Sequence, residues 1–103
     1  MKKLVLTTAA LLPMVLSAPA VAESEAEQTA KNLCAGCHGP AGISTNPLWP
    51  NIAGQKDQYS AKQLRAFRDG TRQDPNMNGL SQTLTDAQID ALAAYYAKMP
   101  AGD

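Results

Sequence analysis

Aromatic side chains are scarce, with one Trp, three Tyr and one Phe in 103 residues. A chain this short buries a marginal core and usually needs a disulfide, a metal or another staple. Cysteine does not supply one in the ordinary way. There are only two, Cys34 and Cys37, and a disulfide between them would close a tiny loop and constrain the unfolded chain little. Histidine is scarcer still, His38 being the only one. A zinc site needs more ligands than these three residues, and no βαβ pattern surrounds the cysteines as a thioredoxin-like fold would require. Nor is there an excess of charge. Nine basic and nine acidic residues balance to zero, a poor footprint for nucleic acid, and no basic amphipathic helix suited to a membrane surface is present.

A membrane-spanning run is missing too. The apolar stretch from Leu4 to Leu16 is broken by Thr7, Thr8 and Pro13 and falls short of the roughly 20 residues a spanning helix needs. Lys2 and Lys3 precede it, Ser17 and Pro19 end it, and Ala20-Val21-Ala22 is a small-x-small cleavage site. Residues 1–22 therefore read as a secretory signal cleaved after Ala22, rather than a retained anchor. The remainder, residues 23–103, reads as a single domain without stable membrane insertion. It carries seven basic and nine acidic residues, a formal charge of −2. Glu23, Glu25 and Glu27 make its start acidic, and Lys56, Lys62, Arg65, Arg68 and Arg72 cluster in the middle. Arg65, Arg68 and Arg72 are spaced to share one helix side, either as a solvated face or as a docking patch for an acidic redox partner.

Three helices and long loops are expected, with no strands. The first runs from about Ser24 to Cys34, with Ser24 and Glu27 set as a capping box and Ala26, Ala30 and Leu33 at helical spacing. The second runs from Asp57, as cap, to Asp69, with Gly70 as the stop and Tyr59, Leu64 and Phe67 as its apolar side. The third starts at the Thr85 cap, with Gln88 closing a capping box and Leu84 stapling onto Ile89. Ile89, Leu92, Ala93 and Tyr96 then recur at i, i+3, i+4 and i+7 until Pro100. The small face at Ala26 and Ala30 is expected to receive Tyr95 or Tyr96.

Against this background one pentapeptide stands out, Cys34-Ala35-Gly36-Cys37-His38. Two thiols two residues apart, followed at once by an imidazole, is the arrangement that fastens a c-type haem. The sulfurs form thioethers with the haem vinyl groups, and the turn they sit on aims His38 at the iron. Such haem is attached outside the cytoplasm, so export signal and motif support each other. With one histidine, bis-histidine ligation within the chain is excluded. Of four methionines, Met1 and Met14 leave with the signal and Met99 ends the last helix. Met77, in the Asp74–Gly79 loop, is the candidate second axial ligand, set against a methionine that merely packs. His/Met ligation raises the reduction potential.

These features together resemble the class I c-type cytochromes, the small monohaem periplasmic kind whose domain is doubled in dihaem cytochrome c4. The resemblance rests on Cys34-Ala35-Gly36-Cys37-His38-Gly39, Pro50-Asn51-Ile52-Ala53-Gly54-Gln55, Met77, and Ala93-Ala94-Tyr95-Tyr96, in that order. It implies an all-α class I cytochrome c fold, three main helices and long loops wrapped around one covalently bound haem c. It further implies covalent attachment by Cys34 and Cys37, axial ligation by His38 and Met77, and a Pro50 carbonyl that accepts the imidazole N–H. Ile52, Leu64 and Phe67 match the apolar haem contacts, and Trp49 and Gln55 are candidate propionate partners. Many relatives have glycine where Ala26 stands. The implied role is a periplasmic single-electron carrier between respiratory redox proteins, not an enzyme. It would stand between an upstream dehydrogenase or cytochrome and a downstream oxidase or reductase, alone or as the haem subunit of a complex. A gas-binding or catalytic haem protein with an open iron position is the alternative, and it requires Met77 to be off the iron.

Overall fold

In the computed structural model, residues 1–14 and 23–102 are described. Ser17, Pro19 and Ala20-Val21-Ala22, the expected cleavage site, fall outside them. Residues 1–14 form no regular element, and Leu4, Val5, Leu6, Leu11 and Leu12 are exposed. The domain is helical, with no strand among the described residues. In chain order it contains α1 (Glu25–Thr29), a π-helical turn (Ala30–Cys34), α2 (Ala35–His38), α3 (Asp57–Asp69), α4 (Met77–Gln82) and α5 (Asp86–Ala97). No described helix is long and apolar enough to cross a membrane.

The all-α expectation holds, with two changes of detail. The first helical segment does not stop at Cys34 but runs on to His38. Met77, expected in a loop, is the first residue of α4. Caps differ as well. The Ser24 hydroxyl accepts the Glu27 N–H at 3.1 Å, yet no reciprocal bond forms, and the Glu27 carboxylate pairs with Lys31 at 3.5 Å instead. Asp57 lies inside α3, where its carboxylate accepts the Gln58 N–H at 2.8 Å, and Lys56 holds the cap position. Gly70 ends α3 in the left-handed conformation, φ 80°.

The capping box on α5 is complete. The Thr85 hydroxyl accepts the Gln88 N–H at 3.2 Å, and the Gln88 side chain accepts the Thr85 N–H at 2.9 Å. With its start fixed, α5 presents Ile89, Leu92, Ala93 and Tyr96 to a core completed by Ala30, Ala61 and Leu84. Leu33, Cys34, Ile52, Leu64, Tyr95 and Met99 pack around it. Ala30 and Tyr96 share this cluster as expected. Ala26 does not join them, lining a shallow groove with Thr85, Ala87 and Ala91 at the other end of α5. Tyr59, expected on the apolar side of α3, is exposed.

Arg65 and Arg68 bind α3 to α5. Arg65 reaches Asp90 at 2.8 Å and Asp86 at 3.7 Å. Arg68 reaches Asp86 at 2.6 Å and donates to the Leu84 carbonyl at 3.3 Å. Arg72 bonds Gln63 at 2.7 Å and lays its guanidinium 4.5 Å over the Phe67 ring. The basic cluster is thus largely engaged within the molecule.

The long loop between α2 and α3 begins with a sharp reversal at Gly39, φ 85°, where any side chain would collide with the Ile43 carbonyl. It folds back on itself as Gly42 accepts the Ile52 and Ala53 N–H groups at 2.9 and 3.0 Å. It then docks on α5 through the Gly54 N–H to the Tyr96 carbonyl at 2.9 Å. This loop carries Pro50 back toward the end of α2.

Packing and charge here each lead to a measurable outcome. Ile89 is fully buried, so Ile89→Ala should cost about 2–5 kcal/mol, read as a lower urea midpoint at unchanged slope. Arg68 holds the Asp86 carboxyl below its ordinary value of 3.8. A carboxylate lowered on folding stabilises the fold above its unfolded pKa and loses that contribution as pH falls through the folded one. The stability gap between parent and Asp86→Asn should therefore be present at neutral pH and close below about pH 4, measured by thermal melts across pH.

Candidate metal centre

The chain stays helical from Glu25 to His38 but changes pitch midway. In the turn Ala30–Cys34 the Ala35 N–H bonds the Ala30 carbonyl, five residues back. An α-helix advances about 100° per residue, so one inserted residue swings every later residue back by about that angle. His38 lies eight positions after Ala30. In an unbroken α-helix the two would stand roughly 80° apart, whereas with the insertion they come within roughly 20°. Both are buried, Ala30 at 2% and His38 at 8% exposure. The π-turn brings the histidine round to the inner face.

His38 Nδ1 lies 2.8 Å from the Pro50 carbonyl oxygen. A carbonyl has no proton to give, so Nδ1 is the donor. In the neutral ring the lone pair is then on Nε2, free to bind a metal. Cys34 and Cys37 are free, half-buried thiols. Burial pushes the Cys34 thiol above its ordinary pKa, while the Tyr96 hydroxyl beside it pulls the other way. Tyr96 in turn is pushed up, chiefly by burial.

Met77 is half-buried at the start of α4, on a different element from His38. The turn before it is built by side chains. One Asp74 carboxylate oxygen accepts the Asn76 and Met77 N–H groups at 2.9 and 2.8 Å, and these bonds hold the carboxyl below the usual range. The Asn78 side-chain oxygen accepts the Asp74 N–H at 2.7 Å, and its amide nitrogen donates to the carbonyls of Phe67 and Arg72, both at 2.8 Å. Neither Asp74 nor Asn78 stands out in the sequence, although Asp-Pro is a turn signal.

Of the apolar candidates, Ile52 and Leu64 lie half-buried against the same cluster as Cys34. Phe67 is buried outside that cluster, under Arg72. Trp49 is half-buried, and Gln55 is exposed with its side-chain oxygen on the Lys56 N–H. Met99 packs on the core.

Among the described residues, no three or more His, Cys, Asp or Glu side chains gather into a metal cage. One imidazole beside two free thiols suits a metal that arrives with its own equatorial ligands, and haem fits that donor set. A cleft of about 670 Å³ between α3 and α5, lined by Asp57, Lys62, Arg65, Asp69 and Asp90, contains none of these residues.

The cytochrome c sequence family matches residues 24–100. A cytochrome c4 of Thiocapsa roseopersicina is 42% identical over 85 residues, covering 82% of this chain and 44% of its own length. A thiosulfate dehydrogenase electron acceptor of Thiomonas intermedia is 41% identical over 101 residues, covering 95% and 45%. The crystal structure of reduced cytochrome c4 from Pseudomonas stutzeri superposes with a TM-score of 0.64 at 34% identity, covering 73% of this chain and 48% of that one. The chain thus spans about half the length of these relatives.

The π-turn makes chain length, not residue identity, the sensitive variable. Deleting the exposed Asn32 should restore an α-helical register, rotate the motif outward and abolish covalent haem staining on denaturing gels. Asn32→Ala should retain the stain.

Proposed function

The chain belongs to the cytochrome c family, and from that premise we propose a periplasmic monohaem carrier that passes single electrons between redox proteins. Membership brings the all-α class I fold and one covalently bound haem c. The observation that carries the proposal is an imidazole held at Nδ1 by the Pro50 carbonyl, 2.8 Å away, next to two free thiols.

In this reading the Cys34 and Cys37 S–H groups add across two vinyl groups and become thioethers. When bound, the haem supplies a one-electron iron couple. His38 offers Nε2 to the metal, and the Pro50 carbonyl orients the ring and raises its basicity. Met77 would offer the metal a soft, neutral thioether as its second protein ligand, which favours the reduced state. Ile52 and Leu64, packed on the same cluster as Cys34, would keep water away, whereas Phe67 lies outside that cluster, beneath Arg72. With His38 committed to the metal and no second histidine in the chain, no imidazole remains to act as a distal acid or base.

Residues 1–22 serve as the export signal, removed after Ala22 to leave the domain 23–103. The basic Lys2-Lys3 start, the apolar stretch broken by Pro13 and the small-x-small Ala20-Val21-Ala22 support this. The relative named as an electron acceptor of thiosulfate dehydrogenase favours an upstream dehydrogenase as donor, with an oxidase or reductase downstream. The chain would serve such partners alone or as the haem subunit of a complex. Because Arg65 and Arg68 are engaged with Asp86 and Asp90, charge steering of those encounters rests mainly on Lys56, Lys62 and Arg72, the last bound only to the uncharged Gln63 and Phe67.

Absorption spectra of periplasmically produced protein test the proposal. We expect a ferric methionine–iron charge-transfer band that vanishes in Met77→Ala, and little carbon monoxide binding by the parent. A parent without the band that binds carbon monoxide readily would mean an open iron face.

A further inference from the structure

The proposed ligand methionine stands on a turn that the polypeptide braces by itself. Pro50 and His38 hold one side of the site, and neither the haem motif nor the Pro50–Gln55 segment accounts for Asp74 or Asn78. Yet these two side chains make every side-chain hydrogen bond around the Met77 backbone. Asp74 precedes a proline, which biases it toward extended backbone. From there its carboxylate reaches forward to the Asn76 and Met77 N–H groups at 2.9 and 2.8 Å. It thereby satisfies donors that the start of α4 would otherwise leave without partners. Asn78 closes the turn from the other direction. Its backbone N–H and side-chain oxygen meet the Asp74 carbonyl and N–H at 3.3 and 2.7 Å. Its amide nitrogen then pins the turn to the end of α3 through the Phe67 and Arg72 carbonyls, both at 2.8 Å.

We propose that Asp74 and Asn78 are positioning residues for the Met77 thioether, a clasp that anchors the methionine arm to the end of α3 independently of any bond to iron. The inference rests on Met77 being the second axial ligand. A methionine held this way returns to the metal after each transient dissociation, so outside ligands compete poorly for the vacated face. Loss of the clasp frees the first turn of α4 from its side-chain ties to Asp74 and to the end of α3.

The chemistry assigns different demands to the two residues. Asp74 works only as an acceptor, so an asparagine oxygen in its place can accept the same N–H groups. Asn78 works as acceptor and donor at once, so Asn78→Asp keeps the first role and turns a carboxylate on two carbonyls.

Imidazole titration of the haem-loaded ferric protein tests this, with the methionine–iron band and amide hydrogen exchange at Met77 as independent readouts. Asp74→Ala, Asn78→Ala and Asn78→Asp should each raise imidazole affinity roughly tenfold, the scale of one hydrogen bond. Met77 amide exchange should quicken in parallel. Asp74→Asn, which keeps the acceptor but not its charge, should fall between the parent and Asp74→Ala. Thr85→Ala is the control, since it removes the α5 cap and lowers overall stability without touching the arm. Parent-like imidazole affinity in Asp74→Ala and Asn78→Ala would overturn the clasp, as would an equal rise in Thr85→Ala. If the ligand assignment itself is wrong, the parent will lack the band and bind imidazole freely, and the clasp falls with it.

Discussion

The hydrogen bond from His38 Nδ1 to the Pro50 carbonyl is the constraint on which the rest of the site depends. A single contact of this kind contributes only about 1 kcal/mol to folding. Its importance lies in what it determines: which ring nitrogen carries the proton, how the ring is turned, and where a loop of irregular backbone must pass. The loop meets that demand through backbone bonds of its own. Gly39 reverses the chain, the Gly42 carbonyl gathers Ile52 and Ala53, and Gly54 docks on the last turn of α5. Pro50 adds a fixed φ and carries no N–H needing a partner. The same stretch of α5 supplies Tyr96, whose hydroxyl stands beside Cys34. Histidine, attachment cysteine and loop are therefore all referenced to one helix.

That helix is held from the other side by charge. Arg65 and Arg68 cross from α3 to Asp86 and Asp90 on α5. Exposed ion pairs of this sort are individually weak, yet three of them, together with the Arg68 bond to the Leu84 carbonyl, act on the same helix start that the Thr85 capping box defines. A sequence rich in arginine along one helical side resembles a docking surface until its partners are seen. Here the carboxylates it would offer to another protein's cations, and the guanidiniums it would offer to another's anions, are largely spent on each other.

What could be read from the residues, and what could not, divides along physical lines. Cys34, Cys37 and His38 were legible because covalent and coordinate chemistry leave almost no freedom of spacing. The α5 helix was legible because its capping box and its apolar period agree, and both appear in the fold. The π-turn at Ala30–Cys34 was not, since no residue type encodes an extra residue per turn; packing of Ala30 and His38 on one side selects it. The helix α4 was missed because six residues with a glycine among them have too little intrinsic helicity to show, and its first turn is organised from outside by Asp74. Asp57 was misplaced by one position because an aspartate just inside a helix satisfies the dipole as well as one at the cap. Ala26 was expected against a tyrosine by size alone. It lies one helical stretch before Ala30, and lines a groove with Ala87 and Ala91 instead.

The brace at residues 74–78 also bears on the cost of moving between oxidation states. Fixing a residue's backbone removes roughly 1–2 kcal/mol of conformational entropy, and here that loss is incurred when the polypeptide folds. Nothing further has to be ordered when a sulfur approaches or leaves a metal from such a support. A site constructed in this way would change its charge with little rearrangement of its surroundings, and ligand exchange at that face would show a small activation entropy.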